Sequence, residues 1–249
     1  MSCNQTPERS QSHGTGPVFS GVAFIYFDLD DTLIDHKAAQ DRGLLDLWSQ
    51  YPQLQDTDPN TFTKVYADVN TRLWKAYRNN EIDQQTLRRC RFEQTFEELQ
   101  LKKPDWREVD SAYMACYSRH WEWIDDARQA FVALSEHYPT GIMTNGFTDV
   151  QQKKFKHFSL NRYSRHLVIS EQVGFLKPDP RIFAHSAKIA EMDPSQLLYV
   201  GDSYSSDILG GSKSGWRTAW YQSNGRDEGN GVADYSFSHF SQLVDVLIS

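Results

Sequence analysis

The stretch YFDLDDTLIDH places four carboxylates within eleven residues, at the end of the apolar run VAFIYF. Carboxylates this close repel one another, and burying each charge is costly unless a partner compensates it. Such a cluster is typical of a surface turn, of a helix N-cap or of a cation site. We expect Asp31 and Asp35 to cap a helix or to face solvent. Asp28 and Asp30 point to the same side as the chain leaves a strand.

Three further polar clusters also follow short apolar runs. Thr144-Asn145-Gly146 follows GIM, and Lys177 lies in GFLKPDP, between two predicted strands. Asp202 directly follows LLYVG, and Asp207 lies a short distance further along the chain. Asp207 either reaches the same site as Asp202 or caps the helix that runs towards Gly215.

The residue types in the four clusters complement one another chemically. Asp28, Asp30 and Asp202 offer the hard oxygen ligands that Mg²⁺ prefers. A hydroxyl, backbone amides near Gly146 and the Lys177 ammonium can bind a tetrahedral anion. One carboxylate can attack phosphorus, and a second carboxyl group can protonate the leaving oxygen and then deprotonate water. The clusters therefore predict phosphoryl-transfer chemistry at a magnesium site.

Short apolar runs followed by helical patterns predict how these clusters are positioned. Strand alternating with helix is typical of an α/β fold with a Rossmann-like doubly wound parallel sheet. Ligands then bind beyond the carboxyl ends of the strands, where every polar cluster falls. The predicted strands are Val22–Phe27, Gly141–Thr144, Leu167–Ser170, Leu197–Val200 and Thr218–Tyr221.

The first two strands are separated by about 110 residues, far more than a strand–helix–strand connection needs. Apolar residues recur at helical spacing in this stretch, and Asp58 and Pro59 can begin one of its helices. We therefore expect an α-helical cap domain at residues 37–123 and an α/β core domain at residues 21–36 and 124–249. Residues 1–20 are expected to form a disordered tail, and SHFSQLVDVLIS a final helix packed on the sheet.

Composition limits the partners of the chain. A net charge of -7 argues against nucleic-acid polymers, because no overall positive field attracts a phosphate backbone. The three cysteines, Cys3, Cys90 and Cys116, form neither a close pair nor a metal-ligand spacing, which is typical of a reduced cytoplasmic protein. Neither a secretory signal nor a membrane span is predicted. We expect a small phosphorylated metabolite as partner, and the sequence is compatible with a monomer.

In the order DLDDT, TNG, the lysine of GFLKPDP and GDSYSSD, these clusters resemble the four motifs of the haloacid dehalogenase superfamily. The helical insert resembles the α-helical C1-type cap of that superfamily. The resemblance implies that Asp28 is the nucleophile, that Asp30 is the general acid/base, and that its backbone carbonyl is a metal ligand. It also assigns further residues to phosphate binding, namely Thr144, Asn145 and Lys177. The implied cofactor is Mg²⁺, held by Asp28, Asp30, Asp202 and Asp207.

Longer stretches resemble one family more closely. GIMTNGF, LVISEQVGFLKPDPRIF and VGDSYSSDILGGSKSG are similar to the noncanonical pyrimidine nucleotidases, which hydrolyse nucleoside 5′-monophosphates. YQSNGRDEGNG favours the same family. N-acylneuraminate-9-phosphatases share much of the pattern, so a sugar-phosphate phosphatase is the alternative. Both imply hydrolysis of a phosphate monoester through an aspartyl-phosphate.

Other functions remain as alternatives. A hydrolytic dehalogenase shares the fold but needs neither a metal nor an acid two residues after the nucleophile, so Asp30 and Asp202 argue against it. A phosphomutase would use the same core. A non-catalytic binding module would be indicated by the loss of a motif residue, and none is lost. Aromatic residues of the insert either stack on a nucleobase or form its core, and they include Trp74, Tyr77, Trp106, Tyr113, Trp121 and Trp123.

Overall fold

The computed structural model describes residues 18–223 and 231–248. Most of the predicted N-terminal tail, including Cys3, lies outside these residues, as does most of the stretch YQSNGRDEGNG. The predictions made for these two segments therefore stay predictions.

The described residues contain a parallel sheet with six strands. The strands are β1 (Phe24–Phe27), β2 (Thr140–Thr144), β3 (Ser164–Ile169), β4 (Leu197–Gly201), β5 (Arg217–Tyr221) and β6 (Tyr235–Phe237). Their order across the sheet is β3-β2-β1-β4-β5-β6, and every neighbouring pair is parallel. The predicted α/β fold with a doubly wound parallel sheet is confirmed.

All five predicted strands are present with bounds that differ from the predicted ones by one to three residues, and one further strand was not predicted. β1 begins at Phe24 instead of Val22, and β3 extends from Ser164 to Ile169 instead of Leu167–Ser170. β3 lies at the edge of the sheet, so its first half carries exposed and half-buried residues that break the apolar run. β6 has three residues and lies at the other edge, which makes its sequence pattern too short to recognise.

Ten α-helices accompany the strands in the described residues. None of them is long and apolar enough to cross a membrane. The helices are α1 (His36–Gln50), α2 (Pro59–Arg78), α3 (Gln84–Glu98), α4 (Trp106–Ser118), α5 (Ala127–His137), α6 (Thr148–His157), α7 (Ser170–Val173), α8 (Pro180–Ala190), α9 (Leu209–Lys213) and α10 (Phe240–Ile248).

The central strand β1 is buried on both faces of the sheet. Ile25 and Phe27 pack into a hydrophobic cluster that includes residues of α5 and α10. Phe24 and Tyr26 pack into a second cluster on the opposite face, which includes residues of α8. This alternation follows from the two-residue period of a strand. It also explains why β1 reads as a continuous apolar run.

Helices α1 to α4 pack around a hydrophobic cluster that also includes Phe147 and Val150. Helix α2 begins at Pro59, and the side chain of Asp58 accepts a hydrogen bond from the backbone N–H of Thr61, as the sequence predicts. Its buried side chains recur every three or four residues, so one face of the helix is directed inward. We propose that these four helices are the predicted cap, with the predicted boundaries.

Candidate active site

Three carboxylates meet where the neighbouring strands β1 and β4 end. Asp28 follows β1 and Asp202 follows β4. One carboxylate oxygen from each of Asp28, Asp202 and Asp207 lies within 4.8 Å of the other two. Three of the predicted metal ligands are therefore adjacent in the structure.

Asp207 reaches this cluster from a π-helical turn, Tyr204–Ile208. The turn is capped by Ser203, whose backbone N–H donates a 3.0 Å hydrogen bond to Asp207 Oδ2. Asp207 is fully buried, and a side chain at Gly201 would collide with its carboxylate. Of the two predicted roles for Asp207, the structure places it in the acidic cluster and not at a helix cap.

The ammonium of Lys177 lies between two of the three carboxylates. Lys177 Nζ is 2.6 Å from Asp28 Oδ1 and 2.8 Å from Asp207 Oδ1, and it donates a 2.7 Å hydrogen bond to the hydroxyl of Tyr199. Burial acts to lower the pKa of Lys177, but Asp207 and Asp28 outweigh this effect and raise the pKa above its usual value. Lys177 is therefore a charged residue inside the site.

One lysine does not balance three clustered carboxylates. Burial raises the pKa of Asp28 well above its usual range, although Lys177 acts to lower it. The charges of Asp207 and Asp202 raise the pKa of Asp28 further. Burial, followed by the charges of Asp207 and Asp31, raises the pKa of Asp202 to about 7. The cluster thus lacks positive charge, and its oxygen-only donor set fits a hard divalent cation.

The carboxylate of Asp30 lies apart from this cluster and has its own partners. Lys154 forms an ion pair with Asp30 Oδ1, and Gln151 Nε2 donates a 2.8 Å hydrogen bond to Asp30 Oδ2. Burial acts to raise the pKa of Asp30, but Lys154 and then His36 outweigh it and lower the pKa. Neither Lys154 nor Gln151 was predicted from the sequence, although both lie on α6, the helix that begins just after TNG.

A side-chain amide joins the end of β2 to the loop that carries Lys177. Asn145 Nδ2 donates a 2.9 Å hydrogen bond to the backbone oxygen of Lys177, and the Lys177 N–H donates a 2.8 Å hydrogen bond to Asn145 Oδ1. Thr144 is buried at the end of β2, and a side chain at Gly146 would collide with the side chain of Gln151. The predicted phosphate contacts of Thr144 and Asn145 stay predictions.

Most of the residues above line a cavity of about 300 Å³ between the sheet and helices α1 to α4. Asp28, Asp30, Lys177 and Asp202 form part of the wall on the side of the sheet. The helices contribute polar and aromatic side chains to the opposite wall, and these include Gln40, Asn70, Trp74, Arg91, Tyr113 and Tyr117. The cavity is therefore large enough for a small molecule and contacts both the acidic cluster and the helices.

Two of the predicted aromatic candidates line this cavity, and others contribute mainly to packing. Trp74 and Tyr113 lie in the cavity wall. Tyr113 is also buried in the helical cluster, as is Trp121. The ring of Trp74 stacks on Phe147, which directly follows the TNG motif, with 5.0 Å between the ring centroids. This stack connects α2 with the loop at the end of β2.

Comparisons with known proteins agree with this geometry. Residues 25–221 match the family model described as haloacid dehalogenase-like hydrolase. The pyrimidine 5′-nucleotidase YjjG of Escherichia coli K12 is 32% identical over 230 residues, which cover 90% of this chain and 97% of that protein. The pyrimidine 5′-nucleotidase PynA of Streptococcus pneumoniae is 30% identical over 200 residues, which cover 80% of this chain and 83% of that protein.

A solved structure supports the fold. The putative HAD-hydrolase YfnB of Bacillus subtilis, solved bound to magnesium, superimposes with a TM-score of 0.80 at 24% sequence identity. The superposition covers 91% of this chain and 98% of that structure. The likeness therefore extends through both the sheet and helices α1 to α4.

Proposed function

The chain belongs to the haloacid dehalogenase-like hydrolase family, and on this premise we propose that it is a Mg²⁺-dependent phosphatase of pyrimidine nucleoside 5′-monophosphates. The observation that supports the proposal best is the meeting of Asp28, Lys177 and Asp202 at one cavity, with the buried Asp207 in contact with Lys177. A nucleophile, a fixed cation and a set of oxygen ligands are the parts that phosphoryl transfer to a carboxylate requires.

In the first displacement, a carboxylate oxygen of Asp28 attacks the phosphorus of the substrate. The bond between phosphorus and the ester oxygen breaks, and an aspartyl-phosphate forms. Asp30, whose carboxyl group takes up a proton when the negatively charged phosphate binds beside it, donates that proton to the departing oxygen, so that an alcohol leaves and not an alkoxide. The 2.6 Å contact with Lys177 orients the Asp28 carboxylate for this attack.

In the second displacement, Asp30 accepts a proton from a water molecule as that water attacks the same phosphorus. The bond between phosphorus and the Asp28 oxygen breaks, which releases inorganic phosphate and restores both carboxyl groups. Because the two steps use Asp30 in opposite protonation states, its side chain must stay within hydrogen-bond reach of the reacting oxygens throughout.

The metal ligands proposed are Asp28, Asp202, Asp207 and the backbone carbonyl of Asp30. When bound, Mg²⁺ supplies positive charge that the metal-free cluster lacks and that the phosphate oxygens require. Thr144, Asn145 and Lys177 are proposed to bind the phosphoryl group. Lys177 has the strongest structural support, because its ammonium already contacts the nucleophile.

The choice of substrate rests on relatives and on the cavity. Two relatives with at least 30% identity are named as pyrimidine 5′-nucleotidases. The cavity wall formed by the helices combines amide side chains, Gln40 and Asn70, with the indole of Trp74, and these groups can bind the polar edge and the face of a base. We further propose a small metabolite, without nucleic-acid polymer or membrane, as partner in the cytoplasm.

Phosphatase activity is tested with p-nitrophenyl phosphate in Mg²⁺ and in EDTA. We expect hydrolysis in Mg²⁺, its loss in EDTA, and a fall of at least about 10³-fold in Asp28→Asn. Asp41→Asn, which changes an exposed aspartate on α1, is the matched control and should retain wild-type activity. Activity that survives both chelation and Asp28→Asn would refute the mechanism.

The substrate is tested with a panel of UMP, dUMP, dTMP, AMP, sugar phosphates and 2-chloropropionate. We expect the pyrimidine nucleotides to have the highest kcat/KM values. A clear preference for sugar phosphates would replace the nucleotidase proposal with the sugar-phosphate alternative. Release of chloride from 2-chloropropionate would instead indicate a dehalogenase.

A further inference from the structure

Lys154 is a buried lysine that the mechanism above does not use. It lies on α6, is 1% exposed, and forms an ion pair with Asp30 across 124 residues of sequence. The adjacent Lys153 is exposed. Because burying an ammonium group is unfavourable unless it is paired, the position of Lys154 requires an explanation that does not apply to Lys153.

Two donors from α6 hold the Asp30 carboxylate by both of its oxygens. Lys154 contacts Oδ1, and Gln151 Nε2 donates a 2.8 Å hydrogen bond to Oδ2. The two donors lie three residues apart on one helix, so they share a face of it. Gln151 is itself buried and lies directly against Gly146. With both oxygens engaged, the carboxylate of Asp30 cannot rotate freely.

The ammonium of Lys154 is also located from the side of the helical layer. It lies 5.1 Å from the ring centroid of Tyr117 and 5.8 Å from that of Trp121, distances at which an aromatic face attracts a cation. The hydroxyl of Tyr117 forms a 2.6 Å hydrogen bond with His36 Nδ1. Lys154 therefore joins Asp30 to α4 and to the start of α1.

We propose that Lys154 is a positioning residue for Asp30, one that places the carboxyl group of Asp30 against the ester oxygen of the substrate when helices α1 and α4 are packed over the site. This inference rests on the proposed function, because Asp30 acts on that oxygen only in a phosphatase. Lys154 keeps its protons throughout, and the proton that reaches the leaving oxygen comes from Asp30.

Misplacing the general acid slows the release of a poor leaving group more than the release of a good one. The 5′-hydroxyl of uridine must be protonated as the bond to phosphorus breaks, whereas p-nitrophenolate leaves without a proton. The ratio kcat/KM covers only the steps up to release of the alcohol, so it reports this displacement and not hydrolysis of the aspartyl-phosphate. A merely structural role of Lys154 would lower kcat/KM for both esters alike.

The first test compares Lys154→Met with the matched control Lys153→Met on UMP and p-nitrophenyl phosphate. We expect Lys154→Met to lower kcat/KM about 100-fold for UMP and less than about fivefold for p-nitrophenyl phosphate. Lys153→Met should leave both values unchanged. An equal fall for both esters, or no fall for UMP, would overturn the inference.

A double-mutant cycle with Asp30→Asn provides the second test. If Lys154 acts through Asp30, then Lys154→Met should lower kcat/KM for UMP less than about twofold in the Asp30→Asn background. Losses that multiply would contradict the inference. Thermal unfolding checks that each variant is folded. If Lys154→Met does not fold, Lys154→Arg and Lys154→Gln are compared in its place. Arginine keeps the positive charge beside Asp30 and glutamine does not. We therefore expect the loss of kcat/KM that is selective for UMP to be at least tenfold smaller in Lys154→Arg than in Lys154→Gln.

Failure of the inference can be told apart from failure of the proposed function. If the wild-type protein hydrolyses neither ester in Mg²⁺, the phosphatase proposal is refuted and the role of Lys154 is refuted with it. If the wild-type protein hydrolyses both esters and Lys154→Met lowers them equally, the phosphatase proposal stands and only the positioning role is refuted.

Discussion

Lys177 Nζ and Asp28 Oδ1 lie 2.6 Å apart, although 149 residues separate them in sequence. The same ammonium is 2.8 Å from Asp207 Oδ1, so a single lysine holds the proposed nucleophile and a proposed metal ligand together. Lys177 therefore contributes both to catalysis and to the stability of the metal-free protein, and the two contributions can be measured separately.

Replacing Lys177 with Met should affect both properties. The substitution leaves Asp28 and Asp207 buried without their partner, which we expect to lower the free energy of unfolding in EDTA by about 3–5 kcal/mol. Mg²⁺ should restore part of this loss, because a cation can compensate the same carboxylates. Activity should fall at least about 10³-fold. Urea unfolding with and without Mg²⁺ measures the stability, with the exposed Lys188→Met as control. Equal stability of the two variants in EDTA would contradict the prediction.

The stability of the metal-free protein should fall as the pH rises from about 4 to about 7. Burial and Asp207 raise the pKa of Asp202 from 3.8 to about 7, so in this window the folded state binds a proton that the unfolded state has released. The free energy of unfolding then decreases by up to about 1.4 kcal/mol per pH unit.

Urea unfolding in EDTA at pH 5, 6, 7 and 8 tests this slope. Burial lowers the pKa of His166, which acts in the opposite direction, so the informative quantity is the difference between wild type and Asp202→Asn. That variant should show a smaller decrease with pH. Saturating Mg²⁺ should also reduce the slope, because metal binding keeps Asp202 ionised. If the free energy of unfolding decreased less with pH in the wild type than in Asp202→Asn, the predicted contribution of Asp202 would have the wrong sign.

The positions of the polar clusters could be predicted because buried parallel strands read as short apolar runs. The four clusters follow such runs, and parallel strands place the ends of the runs at one edge of the sheet. Asp28, Lys177 and Asp202 meet in the structure for this reason. The edge strands β3 and β6 were predicted incompletely or not at all, since partly solvated or very short strands lack such a run.

The contacts of Asp30 could not be predicted in the same way. Helix α6 contains the stretch QQKKF, in which two glutamines and two lysines are adjacent. Composition does not show that Gln151 and Lys154 are buried while Lys153 is exposed. The available signal is positional: a helix that begins four residues after Thr144 must direct part of its first turns towards the same edge of the sheet. Only the rotation of α6 about its own axis in the folded protein shows which residues do so.

Asn145 should matter for stability as well as for activity. Its side chain makes two hydrogen bonds with the backbone of Lys177, and Asn145→Ala leaves that N–H and carbonyl without partners. We expect a loss of about 1–3 kcal/mol in the free energy of unfolding, together with a fall in kcat because Lys177 is no longer held in place. Asn161→Ala, at an exposed position, is the control. Unchanged unfolding and kcat in Asn145→Ala would show that the loop is held by other contacts.

Two arginines of α3 provide a matched test of the helical layer. Arg91 is paired with Asp110, and both side chains are largely buried, with 8% and 13% exposed. Arg89 lies 3.8 Å from Glu93 and is 48% exposed. Arg91→Met should therefore lower the free energy of unfolding by about 3–5 kcal/mol, and Arg89→Met by less than about 1 kcal/mol. Urea unfolding measures both, and similar values for the two variants would contradict the assigned burial.

Trp74 should contribute to binding of the base and not to chemistry. Its ring stacks on Phe147 and lines the cavity. Stacking of a base on an aromatic ring contributes about 1–3 kcal/mol, so Trp74→Ala should raise KM for UMP about tenfold and change kcat less than twofold. The KM for ribose 5-phosphate, which carries no base, should change little. Trp106→Ala, which alters a tryptophan beside Arg107 that is not part of the described cavity wall, is the control. A similar rise in KM for both substrates would show that Trp74 shapes the whole cavity and does not contact the base.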